Sequence, residues 1–308
     1  MSNLGYPAPF PDELAYSVIA RYLRDWGYQS RKQLLSELMK NSQRQIAIEW
    51  PIDLVGMAKS FSASRSMTPT YLAQHHTLLP YFACFEPLEA RRKIVARVND
   101  PNGSQIFSIR TRNNGTSSAL KFCTECLDED TALHGMTYWH RAHQLPGIVA
   151  CEKHGILLYR STVPRMPTDP TMYLAPHRSR CISAKIYQER WIVSRDISIR
   201  IADRSIALLQ KRLGRPAHIS IEGYRRIAMD AGYIVSKTRI DTKRLDADFR
   251  HFLKLRPTIN HLRPWWHGAI RNLDIHLSPL QHILFRLFLN ERLNSATLGN
   301  VFSSQCII

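Results

Sequence analysis

Apolar residues recur at helical spacing from the start of the chain to Pro80. Leu14, Val18, Tyr22 and Trp26 stand at i, i+4, i+8 and i+12, so a single helix face collects them, and Gly27 stops that helix. Asp12 and Glu13 are then expected in an acidic first turn, where the helix dipole favours them. Ser30 with Gln33 makes a capping box for a second helix carrying Leu34, Leu35 and Leu38. Pro51 suits the first turn of a third, with Leu54, Val55, Ala58 and Phe61 inward, and Thr68-Pro69 opens a fourth that stops near Pro80. Short helices on short turns are what a helix-turn-helix domain needs, and equally what any small helical bundle needs.

The pattern breaks twice and then returns. Residues 99–118 are polar and rich in Asn, Gly and Ser, with one short strand expected at Ile106 to Arg110; residues 161–180 hold Pro164, Pro167, Pro170 and Pro176. From Asp196 onward, Ile199, Ala202, Ile206 and Leu209 share a helix face up to Gly214. Ser220 opens a helix through Ala231 that Gly232 stops, and Asp241 caps another in which Leu245, Phe249 and Phe252 face a core. The other side of that last helix carries Lys243, Arg244, Arg250 and Lys254, the look of a recognition helix or of a solvated cationic face. Its connection, residues 232–240, is longer than the tight turn of a helix-turn-helix. Trp265, Trp266 and the apolar run Leu280 to Leu289 are expected to close this core, with stacking on bases the lesser alternative. The expectation is a mainly α chain. It comprises an N-terminal helix-turn-helix-like domain (1–98), a central finger (99–160), a Pro-rich connector (161–195) and a basic C-terminal helix-turn-helix-like DNA-binding domain (196–308).

Charge sharpens the last of these. The 308 residues carry 42 Lys and Arg against 25 Asp and Glu, a net +17. Residues 1–154 hold 17 basic and 14 acidic side chains, whereas residues 155–308 hold 25 and 11, so the C-terminal half carries +14. Such a field gathers polyanions, and nucleic acid is the expected partner, ahead of a merely solvated face or an anionic membrane. Arg239, Lys243, Arg244 and Arg250 are the candidates to read base edges, with Arg225, Arg226 and Lys237 on phosphates. No run of eighteen apolar residues and no signal segment appears, which predicts a soluble protein of the cytoplasm, associated with the nucleoid.

The sharpest chemistry lies between Lys121 and Gly155, KFCTECLDEDTALHGMTYWHRAHQLPGIVACEKHG. Cys123 and Cys126 form a C-x-x-C, and after 24 intervening residues Cys151 and His154 form a C-x-x-H. Two residues between ligands let one turn aim both side chains at one ion, and two such turns close a tetrahedral site for a structural Zn2+. With all four positions filled by protein, no coordination site is left for water or substrate. His134, His140 and His143 lie inside the segment as possible substitutes, and Tyr138 and Trp139 are expected to fill the core beneath the ion. Cys84, Cys181 and Cys306 are singletons, read as buried small hydrophobes. Asp128, Glu129 and Asp130 are read as a first-turn helix cluster rather than a two-metal site, since consecutive residues cannot converge on one point. No phosphate loop, nucleophile elbow or H-E-x-x-H occurs, and no enzymatic activity is expected.

The finger together with PFPDELAYSVIARY near the N-terminus and HHTLLPYF at His75 to Phe82 resembles the TniQ/TnsD family of bacterial transposon target-selection proteins. GYIVSKTRIDTKRLDADFRHFL and SPLQHILFRLFL resemble a later helical unit of its longer members. The likeness is strong over residues 6–160 and weaker over 220–290. It implies a non-enzymatic protein that binds double-stranded DNA at an insertion site and recruits a TnsC-like AAA+ ATPase, which brings the transposase. In one branch, TniQ proper, the protein instead couples to a CRISPR effector complex. The basic C-terminal half favours the TnsD-like branch. Cys123, Cys126, Cys151 and His154 match the family's metal ligands.

Overall fold

The computed structural model describes residues 6–25, 54–61, 66–100, 119–165, 174–177, 195–213, 221–236, 239–254, 265–271 and 277–303. These are mainly helical, with one two-stranded antiparallel sheet. The chain divides into two compact units, Met1–Glu189 with Ser198–Pro216, and Arg190–Ile197 with Ala217–Ile308.

The first unit is built on α1 (Ala15–Asp25), whose residues from Ala15 to Leu23 are all buried. Leu14, Val18 and Tyr22 face the core as their spacing predicts, while Trp26 and the segment from Ser30 to Leu38 lie outside the described residues. Asp12 and Glu13 do not form an acidic first turn. The helix begins after them, Asp12 takes a left-handed φ of 56°, and both side chains turn back into the protein. Glu13 accepts from Arg21 Nε at 2.8 Å and Arg21 Nη2 at 2.9 Å, with both side chains essentially sealed from water. Arg21 also donates to the Ala8 carbonyl at 2.8 Å and lies 4.0 Å over the Phe10 ring, so the Pro-rich entry segment is clasped to the helix it precedes.

Around α1 stand α2 (Leu54–Ser60), α3 (Pro69–His76), α4 (Leu79–Ala83) and α5 (Leu88–Val98). The inward face of α2 is Leu54, Met57 and the following Phe61; Val55 and Ala58 are only half-buried. Thr68 caps α3 by accepting from the Tyr71 N–H at 3.1 Å, with Pro69 in its first turn as predicted. That helix stops earlier than expected. Thr77 closes it by donating to the Ala73 carbonyl and accepts from the Leu79 N–H, so Pro80 starts α4 instead of ending α3. A proline is tolerated there because first-turn N–H groups have no partner inside the helix. α5, with Ile94, Val98 and Arg91 inward, has no counterpart in the sequence reading.

His76 ties this bundle to α1, its buried Nδ1 lying 2.8 Å from the Glu13 carbonyl. Burial, helped by the nearby Arg141, pushes its pKa down to about 4, against the pull of that hydrogen bond. The native state holds the neutral ring, so the stability it contributes is present above the ordinary value near 6.5 and is lost as pH falls towards 4. His76→Asn keeps a donor for the carbonyl without titrating. Its urea midpoint should be flatter than that of the wild type between pH 6.5 and 4, by a difference of up to about 3 kcal/mol. Glu13 titrates in the opposite sense, since burial raises its carboxyl. It is common to both proteins, so a pH profile identical in the two would refute the assignment to His76.

The finger follows as β1 (Ala119–Phe122), α6 (Thr124–His134), a 3-10 turn (Ala142–Gln144) and β2 (Tyr159–Pro164), with β2 antiparallel to β1. The strand expected at Ile106 to Arg110 lies outside the described residues. Gly135 ends α6 with φ 69°, its N–H bonded to the Thr131 carbonyl at 2.9 Å; L side chains rarely adopt that conformation. The finger is sewn onto α1 through the backbone: Leu14 N–H donates to the Trp139 carbonyl at 2.9 Å and Trp139 N–H to Ser17 Oγ at 3.0 Å. Asp12 accepts from Arg141 Nε and from the Ala142 N–H, each at 3.0 Å. Trp139 is fully buried and Tyr138 nearly so, as expected of the finger's core. α7 (Arg195–Leu209), most of which belongs to this unit, buries Ile201, Ala202 and Leu209, with Ile206 half-buried.

The second unit contains α8 (Ile221–Asp230), α9 (Thr242–Phe252), α10 (Trp265–Ile270) and α11 (Pro279–Ser303). Its centre is Phe249, whose ring lies 4.8 Å from Trp266, 5.0 Å from Phe288 and 5.8 Å from Phe285. Leu245 and Phe252 join it, and Trp266 is fully buried with Nε1 on Asp246, so this tryptophan packs rather than stacks outward. Asp241 caps α9 through the Arg244 N–H at 3.0 Å. Gly232, at φ 75°, ends α8 as predicted. The long connection proves to be a small hairpin: Asp241 N–H bonds the Tyr233 carbonyl, Val235 N–H bonds the Arg239 carbonyl, and Ile234 faces Ile240.

Candidate metal centre

Two knuckles converge. Cys123 is the N-cap of α6 and Cys126 sits in its first turn, so the helix start itself sets their spacing. The second knuckle is a tight turn in which Cys151 N–H bonds the Ile156 carbonyl and Gly155 N–H bonds the Cys151 carbonyl, each at 2.8 Å, with Gly155 at φ 62°. The pairing of Ala150 with Leu157 closes this turn from outside.

His154 Nδ1 lies 3.4 Å from Cys123 Sγ, 3.4 Å from Cys126 Sγ and 3.6 Å from Cys151 Sγ, and the last two sulphurs are 3.8 Å apart. An ion bonded to sulphur at about 2.3 Å and nitrogen at about 2.0 Å needs tetrahedral edges of about 3.8 Å between sulphurs and about 3.5 Å between sulphur and nitrogen. The four donors therefore fit one tetrahedral cation, and the residues that the sequence singled out are brought together. Electrostatics agree. The thiols influence one another: hydrogen bonds from Cys126 and Cys151 hold Cys123 well below the ordinary thiol range, while its contacts with Cys123 and Cys151, with burial, push Cys126 upward. All three become thiolates together only around a cation.

The surroundings orient the histidine. Its Nε2 lies 3.2 Å from Glu129 Oε1, and Glu129 also pairs with Lys153. An Nε2–H given to a carboxylate leaves the Nδ1 lone pair for the metal. Burial opposes the charged ring, but Glu129 and Cys151 outweigh it and leave the His154 pKa raised. Asp128, Glu129 and Asp130 lie in the second turn of α6, beyond the first turn in which they were expected. Each acts separately: Asp128 is exposed, Glu129 orients a ligand, and buried Asp130 accepts from His140 Nε2 at 2.9 Å. The role of Glu129 was hidden by its acidic neighbours, although its i+3 spacing from Cys126 was a usable sign. His134 stacks on Phe10 at 4.2 Å, away from the ligand set. His143 is the exception taken up below.

The candidate DNA contacts lie in the second unit. Arg226, Arg239, Lys243 and Arg244 are exposed, on α8, the hairpin and the start of α9. Arg244 lies 3.8 Å from Asp248 and 5.3 Å over the Tyr233 ring. Arg225 and Arg250 are half-buried, and Arg225 donates to the Ile270 carbonyl at 3.4 Å. Lys237 lies outside the described residues.

A buried N-terminal helix sewn by backbone bonds onto a Cys3His knuckle pair defines a helical protein organised around a candidate metal centre. The TniQ family model matches residues 5–158, a span that contains all four candidate ligands, and the chain belongs to the TniQ family. It is similar to the transposon Tn7 transposition protein TnsD of Escherichia coli, 26% identical over 157 residues. That match takes in 50% of this chain and 31% of the relative's length. Among the described residues no helix is long and apolar enough to cross a membrane.

Proposed function

We propose that this chain is a non-enzymatic target-site selector in transposition, stabilised by one structural zinc ion and reading duplex DNA through its basic second unit. The observation that carries this is the TniQ match across the half that holds the four candidate ligands, beside a relative named for Tn7 transposition. A Cys3His donor set at tetrahedral spacing suits zinc above other divalent ions, and with four protein ligands the ion would crosslink the fold without activating water. Residues 155–308, at +14, supply the attraction for phosphates. In this reading Arg226 and Lys237 position the protein on phosphates, with half-buried Arg225 at the edge of that surface. Arg239, Lys243, Arg244 and Arg250 reach towards base edges. The bound protein then recruits a TnsC-like AAA+ ATPase and, through it, the transposase.

The test is a binding isotherm on the duplex flanking the transposon's insertion point and on random duplex, across a salt series. The insertion-site duplex should bind at least about 1,000-fold more tightly. Arg226→Ala should lower the salt slope by about one on every duplex, whereas Lys243→Ala should weaken the site about 5- to 150-fold and leave random DNA little changed. Equal affinity for all duplexes would dismiss direct reading. Co-purification with a CRISPR effector complex alongside weak binding to free DNA would favour the adaptor branch instead.

A further inference from the structure

His143 is 2% exposed and sits on the 3-10 turn behind the metal ligands. Its Nε2 lies 3.9 Å from Cys126 Sγ, and it also faces Cys151, with which it and Glu152 form a second close group. Its Nδ1 is shut from solvent with no hydrogen-bond partner. A buried ring nitrogen left unpaired is unfavourable, which directs attention to what the other nitrogen does. The position is not loose: Asp12 holds the neighbouring Ala142 N–H, Gln144 is bonded both ways to the Lys121 backbone at 2.9 and 2.7 Å, and the His140 ring lies 4.9 Å away.

We infer that His143 donates an Nε2–H···S hydrogen bond to the Cys126 thiolate and thereby sets the metal affinity of the centre. Three thiolates and a neutral imidazole around a dication leave net negative charge on the sulphurs. All three cysteines are fully or nearly fully buried, and an N–H aimed at one of their sulphurs disperses that charge where water cannot. His143 is therefore a positioning residue, acting through the ligands and not as one of them. The inference rests on the Cys3His centre binding metal.

The experiment is a cobalt(II) titration of the full chain, followed by competition of zinc against a chromogenic chelator. His143→Ala removes the donor, His143→Leu removes it while keeping volume, and His143→Gln keeps an N–H. The alanine and leucine variants should bind metal about 10- to 100-fold more weakly and shift the sulphur-to-cobalt charge-transfer band, with the glutamine variant within a few-fold of wild type. Leucine matching glutamine, or equal losses in all three, would mean that the ring only fills space, and would overturn the inference. A wild-type chain that binds neither metal would overturn the metal centre as well.

Discussion

Cys123→Ser is expected to abolish metal binding and to unfold the segment from Ala119 to Pro164. Structural zinc contributes about 10 to 16 kcal/mol of apparent binding energy in small fingers, as much as or more than the whole stability of an ordinary domain. Its own elements are few, a two-stranded sheet, one helix of 11 residues and a 3-10 turn, and the bonds from Leu14, Ser17 and Asp12 reach Trp139, Arg141 and Ala142 but neither knuckle. Serine makes the test clean. Cys123 is the N-cap of α6 and makes no side-chain capping bond, while serine is among the best capping residues, so the substitution cannot be failing for want of helix propensity. Native mass spectrometry should find zinc in the wild type and none in the variant. Near-ultraviolet circular dichroism of the variant should match that of wild type treated with a chelator. A metal-free Cys123→Ser protein melting at the wild-type temperature would refute the structural role.

The second large effect is predicted at Glu13. Removing one member of a buried ion pair strands the other, at about 3 to 5 kcal/mol. Glu13→Ala leaves the Arg21 guanidinium 2% exposed with only the Ala8 carbonyl, the Met136 sulphur and the Phe10 ring against it. The urea midpoint should fall accordingly. Glu13→Ala combined with Arg21→Met should recover most of the loss, because no charge is then left buried, and strict additivity of the two single changes would argue against coupling. The sequence could not disclose this pair. Glu13 stands where a surface helix would place an acid against its dipole, and only the burial of α1 on every side converts that position into an internal one.

The same contrast runs through the whole chain. The convergence of the four candidate ligands is legible because two-residue spacing is a local property, fixed by a turn and a helix start. α9 was legible for a similar reason, since Asp241 and the run Leu245, Phe249 and Phe252 encode a cap and a face within one segment. What escaped depends on distant partners. α5 is not legible because Arg91 interrupts its apolar stripe, and the structure buries that arginine. Pro80 was read as a stop because proline is permitted both after a helix and in its first turn; the choice between these falls to Thr77, which serves both ends of the corner. His143 looked like a spare ligand, and only its placement behind the sulphurs gives it a separate task.

The bonds between α1 and the Trp139 strip also bear on how the protein is made. Trp139 N–H and Ser17 are 122 residues apart. At about 5 to 20 residues per second, roughly 6 to 24 seconds pass between synthesis of α1 and arrival of the segment that covers it. Throughout that interval the Leu14 N–H and Ser17 Oγ lack their Trp139 partner, and the finger in turn settles only once Cys151 and His154 have been added. α1 is thus made well before the finger that binds it, and its shelter in the meantime must come from the nascent helices α2 to α5 or from a chaperone.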